Sequence, residues 1–175
     1  MTNDTHLVGV FANHLDAEGA VRKLAAAGID IKNLSVVGKG YHTDEKVVGF
    51  YNSGDRIAFW GKNGALWGGL WGWMFGGVFI ALPGVGPVVA LGYLGGMLVA
   101  AIEGAVVVGG ASALGAALYG AGIPKDSVVA YETAIAADKF IVMARGSDAE
   151  IDRAKTVLAG FRPIKVDVHE TAAVA

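Results

Sequence analysis

The chain has 175 residues, with 14 basic against 16 acidic side chains and a formal net charge of −2. That balance provides no cationic surface for phosphate backbones and argues against a nucleic-acid partner. The absence of cysteine excludes disulfides, thiolate catalysis and cysteine-ligated metals. A mean hydropathy of +0.50 and 27 glycines lie above the globular average, and both excesses are concentrated between residues 61 and 122.

The N-terminus, MTNDTHLVGVFANHLD, has no basic stretch ahead of a long apolar run, so no cleaved signal peptide is expected and a cytoplasmic origin is the default. Leu7 to Ala12 predicts a short strand. Leu15 to Ala27 predicts a helix through the spacing of Ala17, Ala20, Val21, Leu24 and Ala27, with Asp16 as a candidate cap and Gly28 as the stop. Leu34 to Val37 is again strand-like, and Tyr41 to Phe59 alternates as a loop or irregular hairpin would.

From Asn63 to Ile102 there is no Asp, Glu, Lys, Arg or His. Gly64, Gly68, Gly72 and Gly76 recur every four residues, which places them on one helix face and lets a second helix approach closely. As a helix, Gly64 to Leu82 would reach about 28 Å, against a hydrocarbon thickness of about 30 Å. Pro83-Gly84-Val85-Gly86-Pro87 breaks it, and Val88 to Tyr119 returns as a second helix or as two shorter ones divided near Glu103 or Gly109-Gly110, so the segment reads as a helical hairpin. Gly92, Gly96, Ala100 and Gly104 offer the matching small-residue face.

Trp60 and Trp67 beside Lys62 suit either a water–lipid interface or a tryptophan-rich contact between subunits. Glu103, the one carboxylate in the apolar stretch, is a possible buried polar site. It marks either a water-filled or proton-related position, or a structural boundary.

Beyond Gly122 the pattern predicts a helix from Lys125 to Ala137, a strand from Lys139 to Ala144, a helix from Asp148 to Leu158 and a strand from Ile164 to Val168. Ser147 and the acidic first turn supply the start of the second helix, and Gly160 its end. Two strand-helix-strand units at the two ends of the chain imply an α/β fold. The expected form is a ferredoxin-like split βαβ sandwich, a four-stranded antiparallel sheet with one face under two helices, interrupted by the glycine-rich hairpin. The expected division is 1–59 and 123–175 for the halves of the small domain and 60–122 for the insertion.

No catalytic, cofactor-binding or metal-binding residues emerge. His6 on the first strand can approach His169 on the last, and Asp167 shares a strand face with His169, but these make a surface pair rather than a ligand set. Ser127 and Ser147 belong to helix starts, and no Ser-His-acid triad is identifiable. GKGYHTDEKVVG lacks the phosphate-cradle spacing, and GVGPVVALG fails as a dinucleotide fingerprint because Pro87 lies inside it.

The segments FANHLDAEGAVRKLAAAGIDIKNLSVVGKG, GALWGGLWG, GIPKDSVVAYETAIAADKFIVMARG and DAEIDRAKTVLAG together resemble the bacterial general stress protein 17M-like group of low-temperature-induced or predicted membrane proteins. The resemblance implies a stress-associated function and a small α/β domain interrupted by hydrophobic helices, with no catalytic residues to transfer. Expected on these grounds is a noncatalytic homo-oligomer in the bacterial inner membrane, its α/β domain cytoplasmic and its hairpins altering bilayer integrity or permeability. The alternative is a soluble ring, shell or cage in the cytoplasm that buries the hydrophobic helices between subunits.

Overall fold

In THLVGVF, the first strand β1 (Thr5–Phe11), every residue is buried. A strand apolar on both sides belongs inside a sheet that is covered on both faces. The computed structural model describes residues 5–39, 78–82, 86–103 and 113–170. After β1 come α1 (His14–Ala26), a 3-10 turn (Ile31–Asn33), β2 (Leu34–Lys39), β3 (Val78–Leu82), β4 (Gly86–Gly92), α2 (Tyr93–Glu103), α3 (Ala113–Gly120), α4 (Lys125–Ala136), β5 (Phe140–Gly146), α5 (Asp148–Ala159) and β6 (Lys165–Glu170). The sheet order is β3-β4-β2-β5-β1-β6, and each neighbouring pair is antiparallel.

Local chemistry sets the helix ends. The Asn13 side chain accepts from the backbone N–H of Asp16, so Asn13 is the cap of α1 and Asp16 sits in the first turn. Gly28 adopts φ +88°, a left-handed conformation suited to glycine just past a helix end. At α5 the Glu150 carboxylate accepts from both the backbone N–H and the hydroxyl of Ser147, each at 2.8 Å. The backbone bond, then the hydroxyl bond, holds the Glu150 carboxyl below its usual range.

The first face of the sheet carries Leu7, Phe11, Leu34, Val36, Phe140 and Val142, packed under Ala17, Ala20, Val21 and Leu24 of α1 and Ile151, Ala154 and Leu158 of α5. The second face carries Val8, Val10, Val37, Val88, Ala90, Ile141 and Met143. Leu94 and Leu98 of α2, Leu114 and Leu118 of α3, and Val128, Tyr131 and Ile135 of α4 cover it. Each fully buried leucine here contributes about 1.5 to 3 kcal/mol from removal of its surface from water. The helices also pack on one another, α2 against α3 and α3 against α4.

This second layer corrects the reading of the apolar middle. Val78 to Leu82 and Gly86 to Gly92 are paired strands in which Val78 faces Ala90 and Leu82 faces Gly86, so these described parts of the expected helical hairpin are β-strands. β-branched runs on either side of a proline-glycine break favour extended chain over helix. The apolar residues that follow cover the chain's own sheet, where the sequence reading left one face open.

Among the described residues no helix is long and apolar enough to cross a membrane. The eleven residues of α2 reach only about 16 Å at the helical rise, half the thickness a span requires. This overturns the expected transmembrane hairpin, the bilayer partner and the inner-membrane placement. The homo-oligomer built on packed glycine-zipper hairpins is corrected with them, because α2 and α3 are seated on their own sheet rather than awaiting a second subunit.

Candidate functional site

The distinctive polar chemistry of the fold lies where α4 crosses the last strand. Antiparallel register sets Lys165 opposite Val10, Asp167 opposite Val8 and His169 opposite His6. Directly opposed residues share a face, so Lys165, Asp167 and His169 all project from the second face, on the side of α4. In α4, Val128, Tyr131 and Ile135 form the buried stripe at helical spacing. A phenol in such a stripe needs a partner for its hydroxyl.

Tyr131 is 1% exposed. Its hydroxyl donates to Asp167 Oδ2 at 2.8 Å and lies 2.7 Å from His169 Nε2. A hydroxyl has one proton to give, so with that proton on Asp167 its oxygen accepts from the Nε2–H of His169. The two rings meet edge to face with centroids 5.9 Å apart. Lys165 Nζ completes the group at 2.8 Å from the same Asp167 oxygen.

The electrostatics agree with this proton arrangement. Burial, then the bond to Asp167 and its charge, pushes the Tyr131 phenol far above its ordinary range. Burial works against the Asp167 carboxylate, but hydrogen bonds from Lys165 and Tyr131 and the charges of Lys165 and His169 together hold it below its usual value. Burial pushes the His169 imidazole down and Lys165 adds to this, while Asp167 opposes them. Near neutrality the set is an ionised carboxylate, a neutral phenol and a neutral imidazole.

Further polar ties fasten the same helical layer. Ser35 Oγ accepts from the backbone N–H of Leu94 at 3.0 Å at the start of α2. Lys39 Nζ donates to the carbonyl of Ala136 at 2.8 Å and pairs with Asp138 at 3.1 Å, closing the C-terminus of α4 with a cation. Arg145 donates to Asn33 Oδ1 at 3.1 Å and stacks over the Tyr93 ring at 4.2 Å. Among the described residues no group of three or more His, Asp or Glu is placed to hold a metal ion.

Residues 6–84 match the heat-induced stress protein YflT domain. The match covers less than half of the 175 residues, from β1 through β3, so it shows similarity to that stress-protein family over the N-terminal part. His6 falls inside the YflT-like stretch, whereas Tyr131, Asp167 and His169 lie beyond it. No curated protein and no solved structure matches the chain.

The residues singled out from sequence fall as follows. Gly64, Gly68, Gly72, Gly76, Gly104, Trp60, Lys62 and Trp67 lie outside the described residues, as does the Tyr41 to Phe59 segment. Gly92 ends β4 with φ +78°, and a Cβ there would stand 2.1 Å from the Leu34 carbonyl oxygen. Gly96 lies exposed on α2, with nothing within 4 Å of where a Cβ would be. Glu103 is the last residue of α2. Asp167 and His169 do share a face, as expected, and His6 does stand opposite His169. Sequence reasoning missed Tyr131 and Lys165, although a tyrosine within the apolar stripe of α4 was a readable signal.

Replacing Tyr131 with phenylalanine removes the donor to Asp167 and the acceptor for His169, and should cost about 1 to 3 kcal/mol at neutral pH. Because the folded phenol titrates above its ordinary value of 10.0, its contribution is fully present below that pH. As pH rises further, the unfolded chain ionises first and stability is lost by up to about 1.4 kcal/mol per pH unit. Urea denaturation between pH 9 and 11.5 should show a shallower alkaline loss in Tyr131→Phe than in the parent. Parallel profiles would contradict the assignment.

Proposed function

We propose that the protein is a noncatalytic, stress-associated α/β domain that folds and works without a bilayer, its glycine-rich insertion supplying a second helical layer on its own sheet. One observation carries this reading. Leu94 and Leu98 of α2 and Leu114 and Leu118 of α3 are buried in one cluster with Val8, Val10, Val37, Ile141 and Met143 of the second face. The stress association rests on the likeness of residues 6–84 to the heat-induced stress protein domain, and the narrower likeness to the general stress protein 17M-like group belongs to the same proposal.

The order β2-β5-β1-β6, with α1 and α5 on one face, supports assigning the core to the split βαβ, ferredoxin-like class. The segment 60–122 then enters as an insertion that widens the sheet and covers its second face. Tyr131, Asp167 and His169 act in this reading as a structural tie, since the hydroxyl and carboxylate are already committed to each other and to neighbours. Of the two function readings the sequence raises, the self-assembling alternative without a bilayer is better supported than the membrane one.

The test is extraction without detergent. Cells expressing the full chain should release it into the supernatant after lysis and carbonate washing, with a cooperative unfolding transition. Retention in the washed membrane pellet would overturn the proposal. Light scattering on the released protein gives the particle mass and with it the state of association.

A further inference from the structure

Arg145 is a cation that the fold orients without giving it an opposite charge. Alternation along β5 sets it on the second face with Met143 and Ile141, at the end of the sheet where the 3-10 turn leads into β2. It is partly buried, whereas Arg22, Arg153 and Arg162 are exposed. Its Nε donates to Asn33 Oδ1 at 3.1 Å, and its guanidinium carbon lies 4.2 Å from the centre of the Tyr93 ring. Both partners are neutral.

Among the described residues, ion pairs join Arg22 to Glu18, Lys39 to Asp138 and Lys165 to Asp167, and no carboxylate pairs with Arg145. The carboxylates nearest in the chain to Asn33 and to Arg145 are committed elsewhere. Asp30 accepts from the backbone N–H of Lys32 and Asp148 from the Thr5 hydroxyl, each at 2.9 Å. A guanidinium drawn partly out of water and left without a counter-charge gains from any oxyanion that reaches it. The Tyr93 ring offsets part of that cost through its negative face, but it accepts no N–H···O bond.

With Nε taken by Asn33 and the plane of the group set by Tyr93, the two terminal nitrogens Nη1 and Nη2 are left as a parallel pair of donors. That pair matches two oxygens carried on one centre. We propose that Arg145, oriented by Asn33 and Tyr93, anchors a binding site for a small anion bearing one carboxylate or phosphate group. Ordering of the side chain is met in folding, so less freedom is lost when the anion binds. One fork reads one anionic group, and a chain with 14 basic against 16 acidic side chains supplies no field for a polyanion. The inference is independent of the stress association.

NMR titration of the full chain near neutral pH tests the site, with inorganic phosphate and acetate as probes and chloride at matched ionic strength as the reference. The Arg145 Nε–H signal and the amides of Asn33 and Tyr93 should move saturably with one or both probes, half-complete at or below about 10 mM, and should not saturate with chloride. Saturation by phosphate alone assigns a phosphate ligand, by acetate alone a carboxylate, and by both the shared fork. Arg145→Lys keeps the charge without the fork and should bind at least about tenfold more weakly, and Arg145→Gln should not bind. Shifts that stay linear, equal those of chloride, or persist in the glutamine variant overturn the proposal. Should that variant fail to fold, the parent decides, because saturable shifts that leave the Arg145 Nε–H signal in place refute the site.

Discussion

Gly92→Ala is expected to lower the free energy of unfolding by about 3 to 5 kcal/mol, a large part of what holds an ordinary domain together. The residue sits at φ +78°, where an L side chain costs about 1 to 2 kcal/mol by itself. The added methyl would also stand 2.1 Å from the Leu34 carbonyl oxygen, a backbone atom that cannot swing aside. Relief requires β4 to move off β2. Because Gly92 is paired with Ser35, and Ser35 Oγ holds the first turn of α2, that movement also loosens the helix. Urea denaturation followed by circular dichroism gives the answer, and an unaltered midpoint would refute the close approach. Gly96→Ala is the matched control. Its methyl enters open space, so the helical preference for alanine should leave stability unchanged or raised by up to about 1 kcal/mol.

The second large effect tests whether the insertion belongs to the main core. Leu98 is fully buried within the second-face cluster, alongside Val8, Val37, Ile141 and Leu118. Leu98→Ala should cost about 2 to 5 kcal/mol through lost transfer energy and the cavity left behind. The loss should appear in the same single transition that reports on α1 and α5, because β1, β2, β4 and β5 each present side chains to both layers. Were the insertion a separate folding unit, the flanking domain would melt at its original denaturant concentration. That result would defeat the shared-core reading.

The elements legible in the sequence were those with clean periodicity. Ala17, Ala20, Val21 and Leu24 announce α1, the Ser147 to Glu150 start announces α5, and the short apolar runs at Leu7, Leu34 and Phe140 announce β1, β2 and β5. The middle misled for a physical reason. A strand buried on both faces has no alternation, so hydropathy alone does not separate Val88-Val89-Ala90-Leu91 from a helix of the same composition. Its β-branched content and the bounding Pro83 to Pro87 break were the better guides. For the polar site, alternation along KVDVHE placed Asp167 and His169 together. The partner on α4 required tertiary structure, since no local rule brings residue 131 to residues 167 and 169.

The polar side chains that β6 presents on the second face have a consequence for the rims of the sheet. A terminal strand offers unpaired backbone groups on which a foreign chain can dock and propagate an aggregate. Lys165, Asp167 and His169 make this rim a poor template, because an incoming strand would have to accommodate them beside a sheet face that is otherwise apolar. Tyr131 and Lys165 offset the cost of keeping Asp167 there. The contact that anchors a helix therefore also makes this rim less receptive to an added strand.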